Sequence, residues 1–154
     1  MEYILGISAF YHDSAAALIG DGKVLSAIQE ERLTRIKHDA SFPKNAIQSI
    51  LEENELDFDE ISHVVFYDKP FLKFERLLES YIASVPRGFN SFRRAMPIWI
   101  KEKFFQKGLL IKELKKFSNK FNGNMLLFSE HHFSHAASAF YPSPFKEAVV
   151  LTLD

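Results

Sequence analysis

The 154-residue sequence contains no cysteine, one tryptophan, and only six glycines and six prolines. Without cysteine the chain has no disulfide framework, no thiolate metal site and no cysteine nucleophile, and a cytoplasmic location is the default expectation. The scarcity of glycine and proline, with 47% hydrophobic and 25% charged residues, excludes collagen-like, low-complexity and disordered classes. A chain of this size can bury a core of its own.

Long apolar runs and an excess of one charge are also missing. No stretch reaches the roughly 18 consecutive apolar residues that a membrane-spanning helix needs. The N-terminus carries Glu2 where a secretory signal would carry Lys or Arg. The formal net charge is −1, from 19 Lys and Arg against 20 Asp and Glu. We therefore expect neither a membrane nor nucleic acid as a partner.

Hydrophobic periodicity in the first part of the sequence predicts a meander, then a helix and a strand. Three antiparallel strands are expected at Tyr3–Ser8, Ala15–Ile19 and Val24–Gln29. The Asp21-Gly22 pair predicts the hairpin turn between the second and third strands. After a polar segment over 30–42 that is expected to be irregular, Pro43 suits the first turn of an amphipathic helix. A short buried strand is expected over Ile61–Tyr67.

The remaining sequence is mostly helical by pattern. In a helical insertion at about 70–121, helices are expected over 71–82, Ile98–Phe105 and Leu109–Phe121, with a break near Gly108. The basic, phenylalanine-rich stretch 87–121 has helical Phe spacing, which favours amphipathic helices over a single-stranded nucleic-acid surface. After this insertion we expect a strand over Met125–Phe128, a helix over His131–Phe140 stopped by Pro142 and Pro144, and a final strand over Val149–Leu153.

These elements predict an α/β fold with a mixed sheet in the order βββαβαβ. That layout is typical of the ribonuclease-H-like half-domain of actin-like ATPases, with the helical region inserted between strands. Fold-level analogy of this kind does not establish a function. Function has to be argued from the ionisable residues.

Two clusters of ionisable residues are candidates for chemistry. His12, Asp13 and Ser14 lie in the predicted loop between the first two strands, where backbone N–H groups can approach a phosphate and a carboxylate can hold a cation. A simple Asx turn is the alternative. His131 and His135 are four residues apart, so a helix places both on one face, where they can bind one metal, while His132 points about 100° away. A polar helix start is the alternative there.

The remaining candidates flank these clusters. Asp154 follows an apolar strand, and ligands gather beyond the carboxyl ends of strands in open α/β sheets, so Asp154 could complete the histidine site. Alone, it would be a turn residue. Since thiolates are absent, the metal would be Fe²⁺, Mn²⁺ or Zn²⁺ on histidine and carboxylate ligands. Four residues after the third strand could bind phosphate or form a charged surface loop: Glu31, Arg32, Lys37 and His38.

Two long stretches resemble the NodU/CmcH-type O-carbamoyltransferases, which modify nodulation factors, cephamycin and aminoglycoside antibiotics. The stretches are ILGISAFYHDSAAALIGDGKVLSAIQEERLTRIKHDASFP at the start and SEHHFSHAASAFYPSPFKEAVVLTLD at the end. Members of that family are several times longer and combine an actin-like, threonylcarbamoyl-transfer-like domain with a carbamoyl-adenylate-forming domain. The resemblance implies that residues 1–154 are the N-terminal portion of the first domain, with the C-terminal half and the second domain supplied in cis or in trans.

The resemblance also implies a reaction. Carbamoyl phosphate and ATP give carbamoyl adenylate, whose carbamoyl group passes to a hydroxyl of a small-molecule or glycan acceptor at a metal site. His131, His135 and Asp154 match the metal positions, with Fe²⁺ as the first expectation. His12 and Asp13 match the loop near the adenylate and the acceptor, and an imidazole can remove the acceptor proton near neutral pH.

Other expectations follow with less detail. Ser14 and the four residues after the third strand are candidate substrate- or nucleotide-binding residues. ATP is the expected co-substrate, a homodimer is allowed, and the 154-residue chain alone is expected to be inactive. Two other classes stay open: a relative of the tRNA threonylcarbamoyl-transfer proteins, and a non-catalytic module that binds metal or nucleotide.

Overall fold

The structure, a computed structural model, describes residues 1–69, 79, 81, 82, 93 and 105–153. Its centre is a mixed five-stranded sheet in the order β3-β2-β1-β4-β5. The strands are β1 Tyr3–Ser8, β2 Ala15–Gly20, β3 Lys23–Gln29, β4 Ile61–Phe66 and β5 Leu126–Phe128. The helices are α1 Glu30–Thr34, α2 Lys44–Glu53 and α3 His131–Phe140, with a 3₁₀ turn at Phe58–Glu60 and a further helical segment at 105–114. The predicted α/β class is confirmed.

The first three strands form the predicted antiparallel meander. β1 and β2 alternate between buried and less buried residues, with Leu5, Ile7 and Leu18 in the core. The hairpin between β2 and β3 turns at Asp21 and Gly22, whose φ angles are 46° and 78°. A two-residue type I′ turn requires this left-handed pair, and glycine adopts it without steric cost.

The other half of the sheet is parallel. β4 pairs with β1, and β5 pairs with β4, in parallel register. The carboxyl ends of β1, β4 and β5 therefore reach the same edge of the sheet. The segments that leave this edge contain the 9–14 loop, the stretch from Tyr67 to Lys69, and the start of α3.

Helices complete the core. α2 begins after Pro43 and packs against β2 and β3 with its predicted apolar face. That face consists of Ala46, Ile47, Ile50 and Leu51, all buried. Leu110 and Leu114 of the 105–114 segment are fully buried, and the ring of Phe58 stacks on Phe117 with centroids 5.3 Å apart. None of the described helices is long and apolar enough to cross a lipid bilayer.

In two segments the helices of the described residues differ from the predictions. The segment 30–42 is not wholly irregular, because α1 occupies its first residues, where the Glu30 side chain is buried. Gly108 does not break a helix but lies inside the 105–114 segment, and the helix expected to reach Phe121 ends earlier. Glycine costs a helix interior only about 1 kcal/mol relative to Ala, which the burial of two leucines outweighs. The helix expected over 71–82, and nearly all of that over 98–105, lies outside the described residues.

The final strand expected over Val149–Leu153 is also not formed. Val149 is fully exposed, and Leu151 and Leu153 are largely exposed. An apolar run becomes a strand only where a sheet edge accepts its backbone hydrogen bonds, and no described strand pairs with this one. A side-chain contact between His132 Nδ1 and Thr152 Oγ1, 3.0 Å apart, connects the run to α3.

Candidate functional site at the carboxyl edge of the sheet

Asp13 lies between two histidine side chains in the loop after β1. Its Oδ2 is 2.8 Å from Nδ1 of His12, and its Oδ1 is 2.8 Å from Nδ1 of His38. An ionised carboxylate can only accept hydrogen bonds, so both Nδ1 atoms must donate. Each imidazole, when neutral, therefore leaves its Nε2 atom unprotonated and able to accept a proton.

The hydrogen bonds of this cluster favour the charged forms of Asp13 and His38. The hydrogen bond from His38, and then that from His12, lowers the pKa of Asp13 below its usual value. The hydrogen bond to Asp13, together with its charge, raises the pKa of His38, and Glu31 adds a smaller contribution in the same direction. Asp13 is therefore an ionised acceptor at neutral pH, and His38 keeps its proton to a higher pH than an ordinary imidazole.

Backbone hydrogen bonds join this loop to the segment that follows α1. Phe10 N donates to Ala40 O at 2.9 Å, and Ser14 N donates to Asp39 O at 2.8 Å. Both bonds lie close in sequence to the contact between Asp13 and His38. The two segments are consequently one structural unit, although the sequence analysis treated them as separate candidates.

Left-handed backbone conformations concentrate in this unit. The φ angles are 71° at Phe10, 50° at Asp13 and 56° at His38. Such angles cost non-glycine residues about 1–2 kcal/mol each, and residues that carry this strain cluster at functional sites. The same conformation occurs at Asp21 in the hairpin turn and at Arg35 at the end of α1, so the angles by themselves do not identify a functional site.

The other predicted residues of this region have different surroundings. Glu31 accepts a hydrogen bond from the backbone N–H of His38 at 2.9 Å, and this bond holds the His38 backbone against the end of α1. Arg32 and Lys37 are exposed, and in the described part of the chain neither forms a hydrogen bond or ion pair with the loop. The hydroxyl of Ser14 is buried and has no hydrogen-bond partner among the described residues.

One atom from each of Asp13, Glu31 and His38 lies within 4.8 Å of the others. Carboxylate and imidazole atoms at such distances could hold a cation. The hydrogen bonds that His38 makes to both carboxylates already account for this convergence. The arrangement is therefore explained without an ion.

His131 and His135 form the second cluster, at the start of α3. Their Nε2 atoms are 3.1 Å apart, and their ring planes are nearly perpendicular. Two nitrogens that are each about 2.1 Å from one cation lie roughly 3.0–3.4 Å apart in right-angled or tetrahedral coordination. The pair therefore fits the predicted metal site. Asp154, the predicted third ligand, lies outside the described residues.

Tyr67 lies beside the second cluster and was not singled out by the sequence analysis. Its ring is 5.8 Å from that of His131, and its backbone carbonyl accepts a hydrogen bond from the hydroxyl of Ser134. Burial raises the pKa of the Tyr67 phenol, and the charges of Asp68 and Tyr11 add to the shift. The Tyr11 ring in turn contacts His12, with centroids 4.5 Å apart. Its position directly after β4, at the carboxyl edge, was the sequence signal that could have found it.

Comparison with known proteins identifies the family. Residues 3–154 match the carbamoyltransferase N-terminus family, and the chain belongs to this family. It is 54% identical over 156 residues to sll1178, an uncharacterised protein of Synechocystis sp., with 100% of this chain and 25% of that protein covered. It is 35% identical over 150 residues to the nodulation protein NolNO of Sinorhizobium fredii, with 96% of this chain and 20% of NolNO covered.

A third relative is the uncharacterised protein MJ1058 of Methanocaldococcus jannaschii, 32% identical over 188 residues, with 100% of this chain and 31% of that protein covered. The chain therefore spans less than a third of the length of each of these relatives. The predicted resemblance to the carbamoyltransferases is confirmed, and the roles of individual site residues stay predictions.

Proposed function

We propose that the chain is the N-terminal part of an O-carbamoyltransferase. In the proposed reaction, the carbamoyl group of carbamoyl phosphate passes through a carbamoyl adenylate, formed with ATP, to a hydroxyl of a small-molecule or glycan acceptor. The observation that carries the proposal is that the His12–Asp13–His38 cluster and the His131–His135 pair both follow strands at the same edge of the sheet, in a chain of the carbamoyltransferase family.

The fold belongs to the same proposal. Three antiparallel strands followed by two parallel ones, in the order β3-β2-β1-β4-β5, agree with a ribonuclease-H-like half of an actin-like domain. The helical insertion at about 70–121 would interrupt this half between β4 and β5. The remaining part of the actin-like domain and the adenylate-forming domain would be supplied by the polypeptide that makes the relatives longer, in cis or in trans.

His12 is proposed as the general base. Its unprotonated Nε2 accepts the proton of the acceptor hydroxyl, while Asp13 stabilises the resulting imidazolium through Nδ1–H. The acceptor oxygen then forms a bond to the carbamoyl carbon. The bond between that carbon and the adenylate phosphate oxygen breaks, and AMP leaves with the electron pair.

His131, His135 and Asp154 are proposed to hold a divalent cation, with Fe²⁺ ahead of Mn²⁺ and Zn²⁺. A cation bound there would act as a Lewis acid and polarise the carbamoyl carbonyl. The 3.1 Å distance between the two Nε2 atoms supports this assignment. Ser14, whose buried hydroxyl has no partner among the described residues, is the proposed contact for a phosphate or carbonyl oxygen.

The function is tested by joining this chain to the part of sll1178 that lies beyond the aligned region. The purified chimera is supplied with carbamoyl phosphate, ATP and a panel of sugars and oligosaccharides, and acceptors are analysed by mass spectrometry. We expect a carbamoylated acceptor, and His12→Ala is expected to lower kcat by about 10²–10⁴-fold. His63→Ala, at a partly exposed histidine near the amino end of β4, is the matched control with unchanged kcat.

Two results would contradict the proposal. If no acceptor gains a carbamoyl group while the chimera is folded, the chain is not part of an O-carbamoyltransferase. If transfer occurs and His12→Ala leaves kcat unchanged, His12 is not the base. Metal analysis of the same samples checks the cation site, since His131→Ala and His135→Ala should each lose the bound metal while His63→Ala keeps it.

A further inference from the structure

His38 has no step in the proposed reaction, although it contacts the residue that orients the proposed base. Its Nδ1 lies 2.8 Å from Asp13 Oδ1, and the other carboxylate oxygen of Asp13 contacts His12 at the same distance. One carboxylate therefore joins two imidazoles through separate oxygens. The two histidines are far apart in sequence, so only the fold brings them to one acceptor.

We propose that His38 is a positioning residue. It holds the Asp13 carboxylate in the orientation that keeps His12 in its Nδ1–H tautomer, so that Nε2 of His12 is free to accept a proton. The role of His12 as a base rests on the proposed function. The arrangement of His12, Asp13 and His38 does not depend on it.

Asp13 needs a second anchor because it is accessible to water. Its side chain is 34% exposed, and the His12 side chain is 61% exposed. A hydrogen bond between two exposed groups is weak, because water competes for both partners. A carboxylate held at one oxygen can rotate about its side-chain bonds, whereas donors at both oxygens fix its plane.

His38 is itself held in place and can supply that anchor. Its backbone N–H donates to Glu31 Oε2 at 2.9 Å, and the next two residues form the backbone hydrogen bonds that join the segments. His38 donates through Nδ1 whether its imidazole is neutral or charged, since Asp13 can only accept. α1 therefore fixes His38 through Glu31, His38 fixes the Asp13 carboxylate, and Asp13 fixes the His12 imidazole.

The test uses the 154-residue chain with ¹⁵N-labelled histidine. Long-range ¹H–¹⁵N correlation spectra, recorded at a pH where the imidazoles are neutral, report which ring nitrogen of His12 carries the proton. In the parent chain we expect the Nδ1–H tautomer at His12. In His38→Ala we expect the Nε2–H tautomer, which isolated imidazoles prefer, to become the major form.

His38→Asn is the matched variant. Its side-chain amide nitrogen stands near the position of Nδ1, and asparagine tolerates the left-handed backbone at this residue. It should restore the Nδ1–H tautomer of His12, whereas a loss of local structure would not be rescued by a donor alone. His63→Ala should leave the His12 signals unchanged.

The outcomes separate this inference from the proposed function. If His38→Ala keeps His12 in the Nδ1–H tautomer, or if His38→Asn behaves like His38→Ala, the positioning role is wrong. Neither result depends on carbamoyl transfer. If the chimera is inactive, the proposed function fails, but the tautomer measurement still tests the positioning role of His38. In an active chimera, His38→Ala is expected to lower kcat with little change in KM, and His38→Asn to recover it.

Discussion

Glu30 is a fully buried carboxylate whose hydrogen-bond partners lie at the start of α2. It accepts hydrogen bonds from Ala46 N at 2.7 Å, Asn45 N at 3.2 Å and Asn45 Nδ2 at 2.6 Å. The first N–H groups of a helix have no partner within the helix and lie at the positive end of its dipole. Glu30 therefore caps α2 and connects it to α1, from which the His38 segment continues.

Replacement of Glu30 tests this connection. Glu30→Ala leaves buried N–H donors unpaired, so we expect the free energy of unfolding to fall by about 2–4 kcal/mol. Urea unfolding followed by circular dichroism measures the change. Glu52→Ala is the control, because Glu52 is exposed on the same helix and, among the described residues, its side chain accepts a hydrogen bond from Gln48 alone; the change should cost about 0.5 kcal/mol or less. Equal losses in the two variants would show that Glu30 does not cap α2.

The pair of Asp13 and His38 predicts a pH window of extra stability. The pKa of Asp13 is lowered from 3.8, so its contribution is present above that value and is lost as the pH falls through the folded-state pKa. The pKa of His38 is raised from 6.5, so its contribution is full below that value and is lost as the pH rises through the folded-state pKa. Both contributions are present between these two ordinary values.

Urea unfolding across the pH range checks this window. The difference in unfolding free energy between the parent and His38→Ala should be largest between the two ordinary pKa values and should shrink on either side. In an Asp13→Asn background, His38→Ala should show no such maximum. A difference that stays constant with pH would contradict the ion pair.

At the residue scale, the sequence predicted some members of the site but not their partners. The spacing of His131 and His135 was sufficient to predict that their side chains meet, because helix geometry alone brings them together. The contact between Asp13 and His38 could not be predicted, since it depends on left-handed backbone angles at both residues. Such angles follow from the tertiary hydrogen bonds around them rather than from local propensity.

Two glycines show how element context determines the effect of the same substitution. Gly22 has a φ of 78° in the hairpin turn between β2 and β3, whereas Gly108 lies in the helical segment, where an added Cβ would meet no atom of the described residues within 4 Å. Gly22→Ala should destabilise the chain by about 1–2 kcal/mol, because alanine is strained at that angle. Gly108→Ala should stabilise it by about 0.5–1 kcal/mol. Thermal and urea unfolding of both variants measure the signs, and a loss in both would contradict the helix at 105–114.

At the element scale, hydrophobic periodicity succeeded wherever an element had a partner to pack against. β1 and α3 have the predicted bounds, and α2 forms with the predicted apolar face, because their apolar spacing matches the period of the structure they form. The run at 149–153 has equally strong strand character but no strand beside it among the described residues. Apolar periodicity predicts that a segment prefers to be a strand, but the strand forms only where a neighbouring strand pairs with it.

The sheet topology determines which of the scattered candidates become neighbours. The sequence predicted a meander followed by α/β units, but spacing along the chain could not show which strands are adjacent. The parallel placement of β4 between β1 and β5 brings the loop that carries His12 and the start of α3 to one edge. Tyr67 lies beside His131 for the same reason, because it directly follows β4.

The same strand order has a consequence for the time course of synthesis. The contacts of β1, β2, β3 and α2, and with them those among His12, Asp13 and His38, involve residues near the start of the chain. A ribosome that adds about 5–20 residues per second would make these contacts available several seconds before α3 emerges. Until β4 follows, the nascent meander presents β1 as an unpaired edge. During the time between the synthesis of the meander and that of β4, this edge is open to pairing with another strand.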